Sequence, residues 1–206
     1  MPKLLQIDSS GKGSGSVTRP LTKFFAEQWQ ASNRSGEVVY RDLMKSDLKF
    51  VDEETVGAYF TPEDKQTDRQ KQALAKSNLL VDEILSADTI VIGTPMYNFI
   101  VPAVFKAYLD LVIRAGKTFS YESGTPKGLL GGKKLIIISS SGGDYSQPPM
   151  KSYDFVEPYL RAIFGFLGIT DITYLTAPGR DPETIAKTSK AVQEEIKKLL
   201  AAVPVS

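Results

Sequence analysis

Two stretches of this chain, Asp88-Thr89-Ile90-Val91-Ile92-Gly93-Thr94 and Lys133-Lys134-Leu135-Ile136-Ile137-Ile138-Ser139, are short, continuous and apolar. A strand with one face in water alternates polar and apolar residues. A strand that does not alternate is covered on both faces, as in a parallel sheet sandwiched between helices. The rest of the chain fits that frame. Lys3 to Asp8 reads as a first strand, Glu37 to Leu43 as a second and Ile172 to Ala177 as a fifth. Helical periods lie between them. Thr18 to Ser32 carries Leu21, Phe24, Phe25, Gln28 and Trp29 at three- and four-residue spacings. Thr61-Pro62-Glu63 predicts a helix start, with a hydroxyl cap, proline in the first position and acid in the first turn. The helix that follows would present Ala73, Ser77, Leu80, Val81 and Ile84. Val101 to Arg114, Phe155 to Leu167 and Pro182 to Ala202 complete the helices. Alternating strands and helices build an open parallel α/β sheet with helices on both faces. At 206 residues the chain is one domain, 1–206.

Composition narrows the chemistry. There is no His and no Cys, so Ser–His–Asp triads, Cys–His pairs, disulfides and the usual zinc sites are excluded and no metal site is expected. The balance of 25 basic and 24 acidic residues leaves a net charge of +1. That offers no broad basic surface for nucleic acid or anionic lipid. The most apolar stretch, Thr89 to Phe105, is broken by Gly93, Pro95, Asn98 and Pro102, too short for the ~20 residues of a membrane helix. The N-terminus turns polar too soon for a secretory signal. A cytoplasmic location is expected, and the sequon at Asn33-Arg34-Ser35 then carries no weight. Any demanding chemistry would come from a bound cofactor.

In open α/β sheets ligands gather at the carboxyl ends of the strands, and three unusual loops fall there. Loop one, Ser9 to Thr18, is rich in Gly and Ser and runs from the first strand into a helix. Its small residues, its hydroxyls (Ser10, Ser16, Thr18) and the free amides of a helix N-terminus, which carries roughly half a positive charge, suit a phosphate. Neither the dinucleotide fingerprint nor the P-loop spacing is present, and a flexible surface loop would have the same composition. Loop two, Thr94-Pro95-Met96-Tyr97-Asn98-Phe99-Ile100, could wall a flat aromatic ligand, or its aromatics could pack on the core. Loop three, Ser139-Ser140-Ser141-Gly142-Gly143-Asp144-Tyr145, offers close backbone approach and hydroxyl groups, or is an ordinary turn. Together the three would hold a mononucleotide such as FMN.

The chain resembles the bacterial FMN-dependent NADH-azoreductases, also described as quinone oxidoreductases. The resemblance runs over nearly the full length. It is carried by Ser9-Ser10 with Ser16-Val17-Thr18, by Pro95-Met96-Tyr97-Asn98-Phe99, and by Arg114-Ala115-Gly116 leading to Thr118-Phe119 and Tyr121. Gly128-Leu129, Gly142-Gly143 and Gly165 to Ile169 continue it. It implies a flavodoxin-like three-layer sandwich with a five-stranded sheet in the order 2-1-3-4-5. It also implies that Ser10, Ser16, Val17 and Thr18 hold the FMN phosphate. Pro95, Met96, Tyr97, Asn98 and Phe99, with Ser140, Ser141, Gly142 and Gly143, would hold the ring, and the backbone at Asn98 would place the flavin N5 edge. Two departures stand out: Ser141 replaces an Arg common among relatives, and Asp144 to Tyr153 is longer than usual.

The implied activity is a ping-pong cycle in which NADH or NADPH reduces the flavin, which then reduces a quinone or azo acceptor. No side chain is assigned a catalytic proton transfer. A homodimer is implied, with Tyr121 and Phe166 as aromatic walls for substrate; core packing is the other reading of both, and for Phe166, flanked by Gly165 and Gly168, it fits equally well. A non-enzymatic electron carrier of the flavodoxin type, or a flavin-binding regulatory protein, remains the alternative. The carriers are strongly acidic, unlike this chain.

Overall fold

A computed structural model of the protein describes residues 1–121 and 124–201. The central sheet has five strands, all parallel: β1 (Lys3–Asp8), β2 (Glu37–Asp42), β3 (Thr89–Pro95), β6 (Lys134–Ser141) and β7 (Asp171–Pro178). They lie in the order β2-β1-β3-β6-β7. The expected fourth and fifth strands are therefore β6 and β7. A two-stranded antiparallel ribbon, β4 (Phe119–Ser120) and β5 (Lys127–Gly128), precedes them in the chain. Strands of two residues have no measurable periodicity, and the expectation of five strands omitted them.

Each strand in the middle of the sheet feeds two cores, because successive side chains point to opposite faces. Leu5, Ile7, Ile90, Ile92, Leu135 and Ile137 meet α3 (Asp68–Ser86), α4 (Ala103–Val112) and α5 (Val156–Phe166) on one side. Leu4, Val91, Ile136 and Ile138 meet α1 (Thr18–Ser32) and α6 (Pro182–Ala201) on the other. Burial on both faces is why β3 and β6 are unbroken apolar runs. The predicted last residue of the final helix, Ala202, lies outside the described residues.

The predicted helix start at Thr61 is wrong. A short helix, α2 (Glu53–Tyr59), comes first, capped by Asp52, whose carboxylate accepts from the Thr55 amide at 2.8 Å. Thr61 instead donates to the Gly57 carbonyl at 2.9 Å, and Glu63–Lys65 is a single 3-10 turn. The long helix α3 begins at Asp68. Thr67 and Gln70 form a reciprocal capping box there, which satisfies two otherwise orphaned groups where Thr61 would satisfy one. Leu74 is the buried residue of the first turns, and Ala73 lies at its margin. Helix α4 is also shorter than predicted. Pro102 precedes it, and beyond Val112 the Arg114 amide turns to the Thr118 hydroxyl at 2.9 Å.

Candidate functional site

The carboxyl ends of β1, β3, β6 and β7 converge on one cavity of about 290 Å³. Ser10, Ser16 and Val17 of loop one line it, with Pro95, Met96 and Tyr97 of loop two and Ser140, Ser141 and Gly142 of loop three. Backbone hydrogen bonds stitch these loops together. The Ser9 amide donates to the Gly93 carbonyl at 3.0 Å and the Met96 amide to the Ser140 carbonyl at 2.7 Å. The Gly179 amide donates to the Ser141 carbonyl at 2.9 Å, bringing in a fourth loop.

Loop one ends as an anion site would. Ser16 is buried and its hydroxyl accepts from the Arg19 amide at 3.2 Å, capping α1. Pro20 has no amide to orphan. The amides of Val17 and Thr18 are engaged by no hydrogen bond among the described residues. Thr18 is buried just beneath, its hydroxyl 3.4 Å from that of Ser16. Below the loop, the Arg19 guanidinium forks onto both Asp42 oxygens at 2.8 Å and reaches the Ser10 carbonyl at 2.9 Å. Tyr40 joins it to Asp8: the phenol accepts from Arg19 and donates to Asp8 at 3.1 Å. The Arg19 fork holds the Asp42 carboxyl below its ordinary value. Burial pushes the Asp8 carboxyl up, against the pull of its Thr22 and Tyr40 hydrogen bonds.

Loop two closes in a tight turn. Tyr97 and Ile100 exchange backbone hydrogen bonds at 2.9 and 3.2 Å, and the central pair, Asn98 and Phe99, sits at φ of 49° and 71°. Two consecutive positive φ values are the signature of a type I′ turn, for which Asn is favoured and Phe is not. The strain at Phe99 is held by the Phe155 amide, which donates to its carbonyl at 3.1 Å. The Phe99 ring lies 5.3 Å from that of Tyr153 and 6.2 Å from that of Tyr145. The long Asp144 to Tyr153 segment thus wraps the outer side of loop two.

Not every predicted residue reaches the cavity. Asn98, Phe99 and Gly143 sit on the loops around it without lining it, and Thr18 lies underneath. Tyr121 and Phe166 are not brought there within one chain. Both pack on Phe119, with ring centroids 5.3 and 4.9 Å away, and both remain partly exposed. Lys12, Gly15, Gly179, Arg180 and Ile185 were not expected as site residues from the sequence, yet they line the cavity. The rule that ligands gather at carboxyl ends of strands applied equally to the loop after the last strand. No Gly/Ser run marked it.

A parallel sheet in this order, with its ligand cavity at the carboxyl ends and a hydroxyl-rich loop entering α1, defines a flavodoxin-like domain. The Flavodoxin-like fold family matches residues 2–201. An FMN-dependent NADH:quinone oxidoreductase of Hydrogenovibrio crunogenus is 41% identical over 202 residues, covering 97% of this chain and 100% of the relative. One from Burkholderia lata is 47% identical over 176 residues, covering 85% and 82%. Among solved structures, an azoreductase from Bacillus anthracis superposes with a TM-score of 0.89 at 28% identity, covering 98% of this chain and all of that one. An FMN-dependent NADH-azoreductase from the same species, in complex with FMN, superposes at 0.85 and 27% identity, covering 97% and 100%. The chain belongs to the flavodoxin-like family of FMN-dependent NADH:quinone oxidoreductases and azoreductases.

Proposed function

We propose that this protein is an FMN-dependent oxidoreductase that takes electrons from NADH and passes them to quinones and azo compounds, working as a homodimer in the cytoplasm. The observation that carries the reading is the single cavity joining a capped, hydroxyl-lined helix start to two loops that present backbone and aromatic groups. That donor set fits FMN. The free amides of Val17 and Thr18 and the hydroxyls of Ser10 and Ser16 suit a terminal phosphate. When bound, FMN supplies the hydride and electron chemistry that a chain without His or Cys lacks.

The protein's own part is to bind and orient. Arg19 and Asp42 hold the Ser10 backbone against the sheet edge. Met96 and Tyr97 of loop two and Ser140, Ser141 and Gly142 of loop three line the part of the cavity that would take the flat ring, with the Asn98 and Phe99 turn and Gly143 flanking it. Tyr121 and Phe166 wall the substrate space of the partner subunit's site. On one chain alone they leave aromatic surface exposed. Among the described residues no helix is long and apolar enough to cross a membrane.

The test begins with the purified protein. Heat should release FMN, identified by chromatography, and the holoprotein should oxidise NADH with a simple quinone and no added reductase, with NADPH as the comparison donor. Double-reciprocal plots at several fixed quinone concentrations should be parallel, because both substrates use one site in turn. FAD as the released cofactor, or intersecting lines, would overturn the reading. Bound FMN without turnover would make the protein a carrier.

A further inference from the structure

We infer that Arg180, on the loop between β7 and α6, is a further cofactor-binding residue whose guanidinium supplies positive charge at the ring end of the cavity and favours the reduced cofactor over the oxidised one. This rests on the FMN reading above.

Two cations line the cavity. Lys12 belongs to loop one, and Arg180 stands beside loop three. Arg180 is anchored by one of its five N–H groups: Nε donates to the Gly142 carbonyl at 2.6 Å. The two terminal nitrogens have no hydrogen-bond partner among the described residues. Neither does Arg180 form an ion pair there, unlike Arg19 and Arg41, which are tied to Asp42 and Glu83. The adjacent carboxylate does not pair with it, since Asp181 is turned to cap α6 and accepts from the Thr184 amide at 2.8 Å. The Gly179 amide, bonded to the Ser141 carbonyl, fixes the loop against loop three. The guanidinium is therefore anchored at the cavity wall with four donors to spare.

Charge explains what those donors are for. Hydride transfer from NADH moves two electrons and one proton to the cofactor and releases NAD+, so the cofactor gains one negative charge. The phosphate charge at loop one is the same before and after. A cation near the ring responds to the change more strongly than one at the phosphate. Ser139 to Gly143 contribute hydroxyls and glycine amides but no charge, the Asp144 carboxylate beyond them accepts from the Ser146 amide at 2.8 Å, and Arg180 is the cation placed beside them.

The test compares wild type, Arg180→Met, Arg180→Lys and Lys12→Met after flavin removal. Oxidised FMN and riboflavin are titrated by flavin fluorescence, and the midpoint potential of the FMN-loaded protein is measured against a reference dye. Arg180→Met should weaken FMN and riboflavin by similar, severalfold factors. It should also lower the preference for reduced over oxidised FMN about tenfold, equivalent to ~30 mV for a two-electron couple. Arg180→Lys should recover most of that loss. Lys12→Met should weaken FMN and leave riboflavin unchanged. An unchanged potential in Arg180→Met with FMN bound would reduce Arg180 to a tether for loop three and overturn the inference. So would a loss confined to FMN, which would move Arg180 to the phosphate end. Wild-type protein that binds neither flavin would instead overturn the functional reading.

Discussion

Arg19 shows how much of the site is built by residues that never touch its cavity. Its fork onto Asp42 and its bond to the Ser10 carbonyl fasten loop one to β2. Asp42 has a depressed folded-state pKa, so its contribution is present above the unfolded value near 3.9 and is lost as pH falls through the folded value. Asp42→Asn should therefore destabilise the protein by about 1–3 kcal/mol at pH 7, with the difference shrinking below pH 4. Urea midpoints at pH 7 and pH 3 check this. At the cavity itself, Ser16→Asp keeps an oxygen to cap the Arg19 amide but adds negative charge where the phosphate would lie. The variant should keep its circular dichroism spectrum and lose its flavin absorbance. Ser10 and Ser16 were legible in the sequence because they sit in a composition anomaly. The Arg19–Asp42 pair was not, since its partners are 23 residues apart and meet only when β2 joins the sheet edge.

At the scale of elements, the short ribbon decides more than its length suggests. β5 lies directly on the end of α5, where the Leu130 amide donates to the Leu167 carbonyl at 2.8 Å. A methyl group at Gly128 would overlap the backbone of Leu167 and Gly168. Gly168 itself sits at φ 93°, where a side chain is strained. Gly128→Ala should cost about 3 kcal/mol, at the upper end of ordinary overpacking, because backbone cannot move aside as a side chain can. Gly131→Ala, whose new carbon would make only a 3.7 Å contact with the Gly168 carbonyl, should change stability little. Chemical denaturation midpoints of the two variants decide the point. The helix starts teach a related lesson. Thr61-Pro62-Glu63 has the local pattern of a helix start, yet Thr67 and Gln70 begin α3, because a two-sided capping box satisfies more backbone than one hydroxyl.

For the whole molecule, the question is what covers Tyr121 and Phe166. They form an aromatic cluster with Phe119 outside the cavity, exposed by 60% and 37%. A second copy of the chain would bury that surface and bring it to a neighbouring site. Light scattering should give about twice the 22.6 kDa chain mass. Tyr121→Ala or Phe166→Ala should lower kcat/KM severalfold to about tenfold with flavin still bound, the worth of one aromatic contact. A loss of four orders of magnitude in Tyr121→Ala would assign its phenol a proton-transfer role instead.

What the sequence determined by itself is local or repetitive. The buried runs at β3 and β6 show themselves because covering a strand on both faces removes polar residues from consecutive positions. Loop one shows itself because an anion site at a helix start needs small residues and hydroxyls in a row. The class of fold follows from the first signal and a candidate anion site from the second. Tertiary structure decided what depends on contacts between distant segments. It brought Arg180 of the last loop beside Gly142 and folded Tyr145 and Tyr153 onto Phe99. It also seated the ribbon on α5 and turned Tyr121 and Phe166 away from the cavity of their own chain. No local pattern marks such pairs, since each side chain would read the same had the chain packed it elsewhere.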